Sequence, residues 1–232
     1  MARVLILRER DEAMRTAVAL EARGHQPLVL PLEATLPLDQ GPPQGAFAGF
    51  AVTSARAVPA LARHFPADPR PVFAVGERTG EAARAAGFAD VRIAGGTALD
   101  IARLADAAGL SAATSLLYAA GRTRTGTLEE ALDAAAIPYV VWEVYEMIRL
   151  APDDAAVVSV FGGAAPDAVL LLSTGQAEAF CRLAERLPPL FQPMPTMLAL
   201  SRRIADALPP ALRRDAIISS NAGLASLFEC ID

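Results

Sequence analysis

The residues best suited to chemistry in this sequence are small and hydroxylic, and they recur in one setting. Each group follows a short apolar run and precedes an alanine-rich helical stretch. In the first part of the chain these groups are Thr53-Ser54, Gly76-Glu77-Arg78-Thr79, Gly95-Gly96-Thr97 and the stretch 121–127. In the later part they are Ser173-Thr174-Gly175, Ser201-Arg202-Arg203 and Ser219-Ser220-Asn221. Ser, Thr and Gly cap helices and leave first-turn N–H groups available, so each exposed helix start favours an anion by about 0.3–1 kcal/mol. N-capping alone accounts for any one junction. Several of them turned toward one cleft suit a ligand that carries many negative charges.

Other chemistries are excluded by residue type. All 21 basic residues are arginine, so a Schiff-base lysine, a P-loop lysine and a lysine general base are ruled out. The two cysteines, Cys181 and Cys230, are too few for a zinc site or a disulfide framework, and are expected as buried free thiols. His25 and His64 each close a helical run, where the helix dipole favours them, and neither has a partner at metal-ligand spacing. No metal site is expected. The first strand is followed by Leu7-Arg8-Glu9-Arg10 instead of a GxGxxG loop. The glycines of 121–126 lack the lysine of a phosphate loop, so no cofactor is expected, and no GxSxG elbow occurs to present a nucleophilic serine.

Around these residues, short apolar runs alternate with Ala/Leu/Arg-rich helical periods. This is the pattern of βαβ units and parallel sheets. Strands are predicted at 3–7, 27–32, 49–53, 71–75, 91–94, 115–119, 139–147, 168–173, 196–200 and 216–218. Helices are predicted at 11–23, 54–63, 79–86, 98–107, 127–135, 155–161, 176–187, 202–208 and 222–231. Pro37, Gly41, Pro42, Pro43 and Gly45 mark one break in the pattern, and Ala151-Pro152-Asp153-Asp154 a second. In 232 residues, 53% are apolar and 20% charged, which excludes disorder and leaves room for two modest domains. No run of about 18 apolar residues and no signal peptide is present, so the protein is expected in the cytoplasm, away from membranes. The net charge of −5 gives no drive for nonspecific nucleic-acid binding.

The chain also repeats itself. FAVTSARAVPALARHF is similar to VLLLSTGQAEAFCRLA, VFAVGERTGEAARAAGF to MLALSRRIADALPPAL, and VRIAGGTALDIARL to AIISSNAGLASLFE. Pairing Ser54 with Ser173, Gly76 with Ser201 and Ala94 with Ser219 gives spacings of 119, 125 and 125 residues. Three blocks in one order at nearly constant spacing favour two similar α/β domains.

In this order and spacing the motifs resemble the uroporphyrinogen-III synthase family across nearly the whole chain. The resemblance is carried by Val52-Thr53-Ser54 before a helix, by Ala74-Val75-Gly76-Glu77-Arg78-Thr79, and by Leu116-Leu117-Tyr118-Ala119-Ala120-Gly121 with Arg124 and Leu128 after it. Val144-Tyr145 and Leu171-Leu172-Ser173 extend it. It implies an α/β protein of two similar domains, each a parallel sheet flanked by helices, joined by a two-stranded linker. The first domain would be discontinuous, 1–36 with 151–232, and 37–150 would be inserted. Hinge motion would centre on 32–38 and 147–151.

The activity implied is cyclisation of hydroxymethylbilane to uroporphyrinogen III, with loss of water and inversion of ring D, by a monomer without cofactor. The partner would be this linear tetrapyrrole with its eight carboxylates, gripped by the junctions of both domains. An acidic protein can hold a polyanion because net charge is not local field. The resemblance places Arg78, Arg124 and Arg202 near the cleft rim, with Ser54, Arg56, Gly76, Thr79 and Gly121 binding substrate in the inserted domain. Ser173, Thr174, Gly175 and Ser201 would do so in the other, where Ser201 and Arg203-Ile204 depart from the family's usual glycine and threonines. Positioning can supply about 7–11 kcal/mol, and Tyr145 matches the family's Val-Tyr tyrosine as the acid that assists departure of the hydroxyl. The competing reading of the same fold is a non-catalytic, hinge-closing small-ligand-binding protein.

Overall fold

Apolar runs with no polar alternation, such as Val4-Leu5-Ile6 at 0% exposure, belong to strands buried on both faces, and such strands form parallel sheets. The computed structural model describes residues 1–110, 115–221 and 223–231. Its chain runs β1 (Arg3–Ile6), α1 (Arg10–Glu21), β2 (Gln26–Val29) and β3 (Glu33–Pro37). It continues with β4 (Phe47–Val52), a 3₁₀ turn (Ala55–Ala57), α2 (Val58–His64), β5 (Val72–Ala74), α3 (Glu77–Ala85), β6 (Val91–Ile93) and α4 (Ala98–Ala107). After β7 (Ser115–Gly121), α5 (Thr127–Ala134) and the long β8 (Tyr139–Arg149) come α6 (Asp154–Phe161), β9 (Ala168–Leu171) and α7 (Thr174–Arg186). A 3₁₀ turn (Pro188–Phe191), β10 (Thr196–Ala199), α8 (Arg202–Ala205), α9 (Pro210–Arg213), β11 (Ile217–Ile218) and α10 (Leu224–Phe228) complete it.

Two compact units result, Met1–Ala34 with Ile148–Asp232, and Thr35–Met147. We call them the terminal and the central unit. The terminal unit holds a sheet in the order β11-β10-β9-β1-β2, its neighbours all parallel. The central sheet runs β3-β8-β7-β4-β5-β6, parallel from β8 to β6. Leu38 N–H donates to Val144 O at 3.0 Å and Leu150 N–H to Leu32 O at 2.9 Å, so β3 and β8 run antiparallel as the two crossings between units.

The repeated blocks take equivalent places. The first set forms β4, β5 and β6, adjacent in that order, and the second forms β9, β10 and β11, likewise adjacent. On the other flank, β7 and β8 stand beside β4 as β1 and β2 stand beside β9. The two sheets therefore share one spatial order that the chain enters at different strands.

Each sheet is covered on both faces. Leu5, Leu7, Val169 and Leu171 pack to one side of the terminal sheet and Val4, Ile6, Ala168 and Leu170 to the other, following the two-residue period of a strand. In the central sheet Phe50, Val52, Leu117 and Ala119 face one way, and Ala51, Phe73, Leu116 and Tyr118 the other. Local caps set several helix starts. Ser54, Thr97, Asp153 and Ser173 accept from Arg56 N, Asp100 N, Ala156 N and Gln176 N.

The structure departs from expectation in a few places. Residues 33–37, outside the strands read from the apolar pattern and ending at the first residue of the first break, form β3, because β8 supplies backbone partners. The predicted helix 202–208 stops at Ala205, before Leu208, the residue ahead of Pro209; a separate short turn, α9, follows. The predicted helix 54–63 opens as a 3₁₀ turn and becomes α-helical at Val58, with Pro59 in its first turn. Position 222, the predicted start of the last helix, lies outside the described residues. Cys181 and Cys230 are free but half-buried, because each lies on the border of a core cluster. Burial raises the Cys181 thiol above its ordinary pKa.

Candidate functional site

In an open parallel sheet, ligands bind beyond the carboxyl ends of the strands, where the chain order switches direction. From β4 the central chain proceeds to β5 and β6 on one side and to β7 and β8 on the other, so the switch lies between β4 and β7. A cleft of about 380 Å³ opens at that end. Thr53, Ser54 and Arg56 after β4, Tyr118 and Gly121 of β7, residues of the following loop, and Tyr145 of β8 line it.

Tyr145 reaches the cleft through a β-bulge. Ala120 faces Glu143, but Gly121 faces Tyr145, so β8 carries one extra residue at Val144. Unbroken alternation would put Tyr145 on the face opposite Val144; instead both pack against the cluster that holds Trp142. The phenol ring then lies directly over Gly121. A Cβ there would stand 2.7 Å from Tyr145 Cζ and 2.9 Å from its hydroxyl, so only glycine leaves the ring its seat. A second glycine, Gly126, sits at the N-cap of α5 with φ +78°, a conformation that side-chain-bearing residues rarely adopt.

The arginines of the cleft differ sharply. Arg124 donates Nε to Glu129 at 2.6 Å, NH1 to Glu143 at 2.9 Å, and further bonds to the Gly121 and Arg122 carbonyls. Arg122 pairs with Glu146 at 2.7 Å and Glu143 at 3.5 Å. Two guanidiniums thus face three carboxylates. The hydrogen bond from Arg124 holds the Glu143 carboxyl below its ordinary pKa. Arg56, by contrast, makes no ion pair or side-chain hydrogen bond with any described residue. Among the described residues, the two enclosed side-chain polar atoms without a hydrogen-bond partner are Arg56 Nε and Glu129 Oε2, and both residues line this cleft. Such atoms are rare in folded proteins and call for a partner from outside the chain.

The structure brings together Ser54, Arg56, Gly121, Arg124 and Tyr145 from the residues singled out in the sequence. Gly76, Arg78 and Thr79 lie at the start of α3 and do not line this cleft. Gly76 occupies the cap position, Arg78 is exposed, and Thr79 is 6% exposed within the first turn. In the terminal unit, Ser173 caps α7 with Thr174 and Gly175 in its first turn, while Ser201 and Arg202 begin α8 after the adjacent strand. Gln176, 4% exposed, accepts from Leu172 N at 3.0 Å and donates to Glu33 at 2.8 Å. At that unit's own switch point, between β1 and β9, Arg8 pairs at 2.9 Å with Glu12, a carboxylate only 4% exposed.

Sequence reasoning did not single out Tyr118, Glu129 or Glu143 for the site. Tyr118 stood inside a quoted motif, and the strand's alternation could have marked it. Glu143 comes from a neighbouring strand and left no local signal. Among the described residues, no group of three or more His, Cys, Asp and Glu could hold a metal ion. His64 packs edge-on against Trp142, and His25 Nδ1 accepts from Ala2 N.

The sequence profile described as uroporphyrinogen-III synthase HemD matches residues 14–229, nearly the entire chain. The chain belongs to the uroporphyrinogen-III synthase family. No curated protein matches the sequence. The fold is similar to the crystal structure of uroporphyrinogen-III synthetase from Helicobacter pylori, with TM-score 0.68 and 17% identity over 100% of this chain and 98% of that one. It is also similar to a mutant uroporphyrinogen III synthase from the extremely thermophilic bacterium Thermus thermophilus, with TM-score 0.53 and 18% identity over 100% and 97%. Membership of the uroporphyrinogen-III synthase family makes the protein a cyclising lyase of haem biosynthesis, which closes hydroxymethylbilane to uroporphyrinogen III with loss of water. The non-catalytic binding-protein reading is not favoured.

Proposed function

We propose that the cleft between the ends of β4 and β7 holds the reacting part of hydroxymethylbilane, and that Tyr145 is the acid of the reaction. The two unpartnered polar atoms on the cleft lining carry this assignment: a cationic donor at Arg56 and a carboxylate acceptor at Glu129. The substrate offers carboxylates for the first and pyrrole N–H groups for the second. Tyr145 donates its phenolic proton to the leaving hydroxyl; the C–O bond breaks and water departs. A cation delocalised over the terminal pyrrole remains. The tyrosinate takes back the proton released when ring closure restores the pyrrole. Seating of the ring over Gly121 supports Tyr145 in this role, because a proton donor must be held in one place.

Ser54, Gly121 and Arg124 complete substrate binding in the central unit. Gly76, Arg78 and Thr79 form a further substrate-binding junction there; Ser173, Thr174, Gly175, Ser201 and Arg202 serve the same end in the terminal unit. Within this assignment the domains are 1–36 with 151–232, and 37–150, a division supported by the compact units described above. We place the protein in the cytoplasm as a monomer that contacts neither nucleic acid nor membrane. The net charge of −5 supports the exclusion of nucleic acid, and no described helix is long and apolar enough to cross a membrane.

The test incubates the protein with hydroxymethylbilane, oxidises the products and separates the isomers. Wild type should give chiefly the type III isomer, and Tyr145→Phe should lower turnover about a hundredfold, the lower end of what a positioned acid supplies. Near-normal turnover of Tyr145→Phe removes that residue from the mechanism.

A further inference from the structure

Two hydroxyls lie 2.9 Å apart at this cleft: Thr53 Oγ1, on the residue that follows β4, and Tyr118 Oη, on the paired strand β7. Both residues line the cleft, but they are not equally open to it. Tyr118 is 3% exposed and Thr53 is half-buried. A contact between two hydroxyls uses one hydrogen and leaves the other free. If Thr53 donated, the phenolic hydrogen of Tyr118 would be enclosed, with no acceptor recorded for it among the described residues. An enclosed donor without a partner is costly. If Tyr118 donates, its hydrogen is satisfied, and the Thr53 hydrogen stays available on the more exposed of the two side chains. Unequal burial therefore selects the direction.

We infer that Tyr118 is a positioning residue that turns the Thr53 hydroxyl into a fixed hydrogen-bond donor facing the cleft, aimed at the departing hydroxyl of the substrate. The inference rests on the reading that this cleft is where hydroxymethylbilane loses its hydroxyl. No proton leaves Thr53; Tyr145 supplies the proton, and Thr53 holds the leaving oxygen in place by a hydrogen bond while the C–O bond breaks. Carboxylates of the substrate have Arg56 for a partner in the same cleft, so a neutral donor is better matched to a neutral leaving group. Burial pushes the Tyr118 phenol above the ordinary tyrosine value, so it keeps its hydrogen throughout the neutral range. The pairing Ala51 with Tyr118 and Val52 with Ala119 ties the end of β4, which Thr53 directly follows, to the middle of β7, so the sheet fixes where the two hydroxyls meet.

Four variants and one structure test this. Tyr118→Phe should lower kcat about tenfold with KM within about twofold and an unchanged circular-dichroism spectrum, since only one oxygen is lost. Thr53→Val should show the same fall, Thr53→Ser should recover most of it, and the Tyr118→Phe/Thr53→Val double variant should be no slower than Thr53→Val alone. Neutron diffraction of the deuterated wild-type protein should place a deuteron on Tyr118 Oη, directed at Thr53. A Tyr118→Phe enzyme within twofold of wild type in kcat, losses that multiply in the double variant, or a deuteron directed from Thr53 to Tyr118 would each overturn the inference. A wild-type protein that yields only the type I isomer overturns the proposed function instead. The neutron map still decides the donor direction in that case.

Discussion

Replacing Gly121 by alanine tests whether the seat of Tyr145 matters for more than packing. The new Cβ would meet Cζ, Cε2 and Oη of Tyr145 at 2.7, 2.8 and 2.9 Å. Carbon atoms rest at about 3.5–4.0 Å, so one side must yield by about 1 Å. Gly121 is part of β7, and Arg122 N–H donates to Tyr145 O at 2.9 Å across the bulge, so the backbones are tied together and the ring has to move. Overpacking of this kind costs about 1–3 kcal/mol of stability. A displacement of about 1 Å at a proton donor can cost about a hundredfold in rate. The assay pairs turnover of hydroxymethylbilane with the urea midpoint. Gly121→Ala should lose most of its turnover while remaining folded at assay temperature, and adding Tyr145→Phe should cost little more, because the phenol is already out of place. Wild-type turnover in Gly121→Ala, or full multiplication of the two losses, would refute the reasoning.

Arg56→Met should raise KM about tenfold or more, the worth of one charge-assisted hydrogen bond, and should leave the urea midpoint nearly unchanged, since no described residue pairs with this guanidinium; a KM equal to that of wild type contradicts the assignment. Glu129→Gln takes the charge from the acceptor proposed for a pyrrole N–H, so KM should rise about two- to fivefold; a KM equal to or below that of wild type contradicts it. Arg70 grips Asp68 through Nε and NH2 at 2.8 and 2.6 Å, donates to Phe47 O, and lies 4.6 Å over the Phe50 ring, so Arg70→Lys should cost about 2 kcal/mol of stability in urea titrations. That hydrogen bond holds the Asp68 carboxyl below its ordinary pKa, so the stability it lends is complete above about pH 4 and is lost as the pH falls through the lower folded value. The urea midpoint should therefore drop below about pH 4, and Asp68→Asn should flatten that part of the profile.

What could be read from the sequence follows how local each cause is. The helix Ala98–Ala107 was legible to its ends because Thr97 and Asp100 cap it and Gly109 stops it within a few residues. The sheet order of three strands in each unit was implicit in the repeated blocks, since similar sequences bury similar faces. Strand β3 carries no local signal, because its partner β8 lies about a hundred residues away and its own end carries a proline; the two-stranded linker implied by the family resemblance is what points to it. At the site, Ser54, Arg56, Gly121, Arg124 and Tyr145 could be named in advance, yet what distinguishes them could not. The bulge that turns Tyr145 toward Gly121 is a property of two strands in register. The neutralisation of Arg124 depends on Glu143, which comes from the next strand, and the isolation of Arg56 on the absence of a counter-ion among the described residues around it.

The roles of Thr53, Arg56, Tyr118, Gly121, Glu129 and Tyr145 require that substrate occupy the cleft at the ends of β4 and β7. Backbone amide shifts of the labelled wild-type protein, recorded as uroporphyrinogen III is added under anaerobic conditions, address this most directly. The amides of Thr53, Ser54 and Arg56, those of the loop after Gly121, and that of Tyr145 should move together and saturate with one affinity. Saturable shifts elsewhere in the protein, with these amides unmoved, would contradict it.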